Sequence, residues 1–299
     1  MTLTGQKTIR WNHLHLHIPD NWECIIKAPR HLILERQLKP FLEFRWQPAE
    51  KTIFSDQREK IQKRFAKEIQ RPIRLLQTDK QLNNLASSYT IQAFNWDQSH
   101  GAQMLHLTCR TCAANILIRC YQGALNWLVD NPFVLDNLTC HLQPGETDRW
   151  LIQDIAFAIP EGFLLDSCSF TFGLSNLLFM QKKTHLRLCR LAPASEHLKQ
   201  NSMPSLFESF CSAPPEKHNA IDTQTLAYSR IPNLVEQFFS PIRRTRPYRS
   251  AWFNHYLLHD RILGYQLQSK QPIDNDMEMM IKDNYGIIQK EEANSDTHA

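Results

Sequence analysis

Cys109 and Cys112, with two residues between them, are the pair whose type and spacing bear most directly on chemistry. Two thiols so placed can bring both sulfurs onto one metal ion, or can close and reopen as a disulfide. They lie between two alternating apolar runs, Met104 to Thr108 and Asn115 to Arg119, so they flank the tip of a predicted hairpin. That is the geometry of a zinc knuckle. A closed zinc site needs four protein ligands, and the chain has no second CxxC. His106, His100, Cys120 or the adjacent Cys140 and His141 would complete the set if the fold brought them close. Without such convergence Cys109 and Cys112 are ordinary hairpin thiols.

Three further groups have types that could do chemistry. His13, His15 and His17 alternate with Leu14, Leu16 and Ile18, which predicts one strand with an apolar core face and an imidazole face turned to solvent or a partner. A flat row of this kind spreads its ligands too far apart for one ion. His255 and His259 stand four apart, but the glutamate of HExxH is missing and the segment is predicted as strand and turn. Arg243, Arg244, Arg246, Tyr248, Arg249 and Trp252 form a basic–aromatic stretch. Guanidinium groups beside aromatic rings grip an acidic protein surface or hold phosphates and stack on bases. Arg58, Lys60, Lys63, Arg64 and Lys67 add a second basic face on a predicted helix. Glu59 and Glu68 share that helix, which fits a solvated surface.

Catalytic signatures are missing. The sequence holds no GxSxG, HExxH, Walker loop or kinase set, and Gly173 with Ser175 lacks the second glycine of a nucleophile elbow. Only 8 glycines occur in 299 residues, none of them clustered, which argues against nucleotide binding by a Rossmann or P-loop turn. The 8 cysteines are mostly single within apolar runs, a pattern of reduced thiols that points to a cytoplasmic protein. No export signal is read at the N-terminus, and Phe170 to Met180, the most apolar stretch, is too short and polar to span a bilayer. No membrane partner is expected, and a net charge of +4 does not by itself demand nucleic acid.

The elements that must position these residues come in two sets. Trp11 to Pro19 is an alternating strand ending in Ile18-Pro19, then Asp20 and Trp22; Trp150 to Pro160 ends in Ile159-Pro160, then Glu161 and Phe163. Pro40 to Ala49 likewise answers Thr184 to Ala194. Ala114 to Ile118 answers Asp260 to Gly264, with an offset that drifts from about 141 to about 146 residues. A tandem duplication of one antiparallel-sheet unit follows: a first α+β repeat over 8–143, a second over 147–288, and a disordered tail over 289–299. Each repeat has strands, a helix (Asp56 to Ile69; Pro204 to Cys211), a further hairpin and a closing helix (Val134 to Leu142; Asp274 to Asn284). Pro144 and Gly145 mark the junction.

The opening of each half, an alternating strand ending in Ile-Pro-x-x-Trp/Phe and leading to antiparallel strands and a helix, resembles the Mog1/PsbP-like α/β sandwich. The likeness covers about 50 residues of each half. It implies a binding module without an active site, and no particular ligand carries over. The expectation is therefore a non-catalytic protein-interaction or assembly module, with another protein as first partner and nucleic acid as second. Arg243 to Trp252 carries recognition in an irregular, proline-rich stretch. No cofactor is expected beyond zinc at Cys109 and Cys112.

Overall fold

The computed structural model describes residues 5–48, 63, 67, 74–75, 88–95, 103–121, 123–142, 148–211, 219–220, 222, 224–243 and 245–288. Among them the chain is α+β, with every strand pair antiparallel, and it divides into two compact units, one within Met1–Gln153 and one within Asp154–Ile288. No helix among these residues is long and apolar enough to cross a membrane. Of the predicted helix Asp56 to Ile69 only Lys63 and Lys67 are described, both helical; Arg58, Lys60 and Arg64 lie outside the described residues. So do the junction at Pro144 and Gly145 and the tail over 289–299.

The first unit opens on a hairpin of β1 (Gln6–Trp11) and β2 (Leu14–Pro19). Its turn residues Asn12 and His13 have φ of 47° and 68°, the paired positive values that match the twist of adjoining strands. Leu14, Leu16 and Ile18 are fully buried, so a slip of one residue would turn all three to solvent. A sheet follows from β3 (Glu23–Ala28), β4 (His31–Arg36), β5 (Lys39–Gln47), β6 (Arg74–Leu75), β7 (Tyr89–Asn95), β8 (Gln103–Cys109) and β9 (Asn115–Cys120). Its strand order is β3-β4-β5-β9-β8-β7-β6. Helices α1 (Ala124–Asp130) and α2 (Phe133–Asp136) come next, and Trp127 of α1 packs against Trp22 and Phe41 at 4.6 and 5.9 Å between centroids. The unit's last strand, β10 (Arg149–Ile152), pairs with β1 and brings Trp150 edge-on to Trp11 at 5.1 Å.

The closing helix expected over Val134 to Leu142 is shorter than the sequence suggested. Thr139 leaves helical geometry and bridges His15 instead, with N–H···O distances of 2.9 and 3.0 Å. β2 offers unpaired backbone groups at an edge, and satisfying them outweighs another helical turn.

The second unit begins with β11 (Ile155–Ala158), paired to the late strand β19 (Gly286–Ile287). Its sheet contains β12 (Leu164–Thr171), β13 (Leu174–Gln181), β14 (Thr184–Leu191), β15 (Asn219–Ala220), β16 (Thr225–Arg230), β17 (Tyr248–Tyr256) and β18 (Arg261–Ser269). The order is β12-β13-β14-β18-β17-β16-β15. Helices α3 (Ala194–Gln200), α4 (Met203–Cys211), α5 (Leu234–Arg243) and α6 (Asn275–Asn284) complete it. Asp274 caps α6 by accepting from the N–H of Asp276 at 3.0 Å, which satisfies one orphan donor of the first turn. Phe207 and Phe210 of α4 pack on Phe253 at 5.3 and 5.0 Å, over a core of Leu226, Tyr228, Ile262 and Leu191.

Candidate metal centre

The β8–β9 turn is tightly specified by its own backbone. The N–H of Cys109 donates to the carbonyl of Ala114 at 2.9 Å, and that of Ala113 donates to the carbonyl of Cys109 at 3.1 Å. Ala113 has φ 56°, which turns the chain so that the Cys112 side chain comes back beside Cys109. The N–H groups of Cys112 and Thr111 point at the Cys109 sulfur, and that of Ala114 points at the Cys112 sulfur. Burial pushes the Cys109 thiol up, but these donors outweigh it and hold the group below its ordinary value. Donors of this kind favour a thiolate, the form that binds metal.

The other two residues arrive on the segment after α2. The His15–Thr139 bridge fixes one side of that segment, and the Tyr89 hydroxyl donates to the Leu138 carbonyl at 3.1 Å. Cys140 and His141 therefore meet the hairpin tip. Cys109 Sγ lies 3.6 Å from His141 Nδ1, Cys140 Sγ lies 3.8 Å from the same nitrogen, and Cys112 and Cys140 sulfurs are 3.5 Å apart. All four ligand atoms fall within 4.8 Å of one another. A tetrahedral zinc with Zn–S of about 2.3 Å and Zn–N of about 2.0 Å has S···S edges of about 3.8 Å and S···N edges of about 3.5 Å. Three of the six edges of the cluster, at 3.5, 3.6 and 3.8 Å, fall near those of that tetrahedron, and the four residues could hold a metal. Three sulfurs and one imidazole match the ligand softness of zinc. Burial pushes the Cys112 and Cys140 thiols up, opposed at Cys112 by the Ala114 N–H and at Cys140 by the Tyr89 hydroxyl.

The fold chooses among the candidates named from sequence. Cys140 and His141 join Cys109 and Cys112. His106 instead lies 3.0 Å from Asn115 Oδ1, and Cys120 is buried at the far end of β9, its thiol pushed up to about 12 by burial. His100 lies outside the described residues. Nothing in the sequence ranks Cys140 and His141 above the rest, because their approach depends on the long-range bridge at Thr139.

The histidine row is shorter than expected. His13 occupies the β1–β2 turn rather than the strand, which leaves His15 and His17 on β2, with His17 Nδ1 3.3 Å from the Thr8 hydroxyl. His255 is the penultimate residue of β17 and His259 ends a one-turn 3-10 helix (Leu257–His259), so helical i, i+4 spacing does not arise.

The basic–aromatic stretch needs correction as well. Only part of it is irregular: Arg243 closes α5, whereas Tyr248, Arg249 and Trp252 belong to β17, an interior strand of the sheet. Trp252 is 6% exposed and stacks on Tyr265 at 5.8 Å, so its ring is not offered to a base or a partner. Alternation on a buried sheet outweighs the polar look of the neighbouring arginines. Arg246 and Arg249 are half-buried, and Arg244 lies outside the described residues. No protein-family model matches the chain, and no curated protein matches its sequence.

Proposed function

We propose that the chain is a non-catalytic binding protein, a tandem of one α+β unit whose first copy is clamped by a structural zinc ion on Cys109, Cys112, Cys140 and His141. The convergence of these four ligand atoms within 4.8 Å carries the reading. Protein groups fill all four positions of a tetrahedron, which leaves no open site for water or substrate. A structural role follows, rather than Lewis-acid catalysis.

The tandem is supported by the identical relative strand order of the two seven-stranded sheets. Register agrees with it: His15 faces Thr139 in the first unit, and Ala156 faces Gly286 in the second. The β8–β9 turn ends on Ala113 at φ 56°, and the β17–β18 turn ends on Asp260 at φ 53°. On this correspondence the zinc ligands answer to Tyr256, His259, Ile287 and Ile288, so the second copy has no thiols there. It uses an ionic clamp instead, with Asp154 accepting from Arg190 at 2.8 Å and from Arg261 at 2.6 Å. Antiparallel sheets with helices packed on them also favour the Mog1/PsbP-like likeness and its binding-module role. The partner is another protein, met in the cytoplasm; nucleic acid is the second reading, favoured by the run of arginines from Arg243 to Arg249.

Elemental analysis of the purified full chain is expected to give one zinc per molecule, falling to background in Cys140→Ser. Zinc-free wild type with unchanged stability would overturn the clamp. Purification of the tagged chain from its native cell, with and without nuclease, is expected to retain a stoichiometric protein; loss of every partner on nuclease treatment would favour nucleic acid.

A further inference from the structure

Cross-strand partners share a face of a sheet, so the register of the second unit defines one row of side chains. His185 of β14 faces Gln268 of β18, Gln268 faces Arg249 of β17, and Arg249 faces Arg230 of β16. The neighbouring row on that face contains Arg187 and Gln266. Both are occupied: Arg187 donates to Asn176 Oδ1 and to the Phe210 carbonyl, and Gln266 donates to the Cys211 carbonyl. Arg246, on the segment entering β17, comes close enough to act on His185. Burial first, and then the Arg246 charge, hold that imidazole below its ordinary value, against the opposing pull of Asp166.

Charge on this face is only partly compensated. Glu236 neutralises Arg230, and Asp166 is the carboxylate whose field reaches His185. No carboxylate pairs with Arg246 or Arg249 among the described residues. Arg246 Nε, Arg249 Nε and His185 Nε2 are each buried without a hydrogen-bond partner. Buried polar atoms without partners are destabilising, and Arg249 stands opposite another arginine, Arg230, rather than a carboxylate. A protein retains such a set where something else supplies the acceptor.

We infer that His185, Arg246 and Arg249 form a binding site for an oxyanion of the phosphate class, with the Gln268 amide between them. Two guanidinium forks match the oxygens of a tetrahedral anion in paired hydrogen bonds, and a dianion balances two fixed charges where a single carboxylate would balance one. The site uses none of the zinc ligands and stands independently of the zinc reading.

The test uses the full-length chain in phosphate-free buffer, titrated with inorganic phosphate by calorimetry and followed by thermal unfolding. Phosphate is expected to bind and to raise the melting temperature with the logarithm of its concentration. Arg246→Leu and Arg249→Leu are each expected to weaken binding by at least about tenfold, as is Arg249→Lys, which keeps charge but loses the fork. The leucine variants are expected to be no less stable than wild type without phosphate, because each removes a guanidinium whose Nε is buried without an acceptor; a merely structural arginine would give the opposite. A phosphate monoester and a short single-stranded oligonucleotide distinguish sources, and both are expected to be displaced by excess inorganic phosphate. Absence of phosphate binding, equal binding by the variants, or an oligonucleotide that phosphate does not displace would each overturn the site.

Discussion

Glu43 illustrates at the residue scale how this chain handles a buried charge. It is 3% exposed, yet His31 Nε2 lies 2.9 Å away, the Arg45 Nε–H donates at 2.8 Å, and the Tyr121 hydroxyl donates at 2.8 Å. Burial pushes its carboxyl up, but the Tyr121 hydrogen bond and the charges of Arg45 and His31 outweigh it and hold the group below its ordinary 4.5. A carboxylate depressed in the folded state adds stability that is complete above the unfolded-chain value and is lost as pH falls through the folded one. Glu43→Gln is therefore expected to cost on the order of 3 kcal/mol at neutral pH, with the gap to wild type closing below about pH 4.5. Denaturant unfolding across that range measures it, and a pH-independent gap would remove the ionic account. Residue types in the sequence pointed to Cys109 and Cys112, because two thiols two apart are informative on their own. Glu43 gave no such sign: its partners stand at 31, 45 and 121, and only sheet register assembles them.

Elements were legible where local alternation matched the tertiary environment. The strands around Leu14 to Ile18 and Thr184 to Leu191 fall where the pattern put them, since one face of each is buried. The closing helix of the first unit is shorter than its local pattern suggests because Thr139 gains a backbone partner that no local window contains. The start of β17, Tyr248 to Trp252, reads as part of an irregular recognition stretch because Pro247 and the arginines hide its alternation. Packing of Phe253 between β17 and β18 turns on one small residue. Gly264 on β18 lies under the Phe253 ring, and an added Cβ would sit 2.1 Å from it. Gly264→Ala must displace the ring that also packs on Phe207 and Phe210, so a loss of about 1–3 kcal/mol is expected in denaturant titrations. An unchanged midpoint would mean the ring has room to move.

At the scale of the whole molecule, the two units close their hairpins by different chemistry. The first unit has a thiol–imidazole cluster and the second an Asp154 carboxylate held by two arginines, which keep it below the usual carboxylate range despite burial. On the proposed zinc reading a chelator acts on one unit and leaves the other alone. Calorimetry with excess chelator is expected to move one unfolding transition down by more than about 5 °C while a second stays in place. Equal displacement of both would rule out a clamp confined to the first unit. Repetition in the sequence suggested two units, but it could not tell that one carries a cluster able to hold a metal, because that convergence depends on the bridge between His15 and Thr139.

Trp252 has a use of a different kind. It is the sole indole between Asp154 and Ile288, while the other six tryptophans of the chain occur at or before Trp150. The residue is 6% exposed and its ring N–H is buried with no acceptor, and exclusion from water shifts indole emission to short wavelength. Phenylalanine at this position would preserve the stack on Tyr265 and leave every remaining indole in the first unit. Intrinsic fluorescence would then follow that unit alone, an optical label that needs no dye.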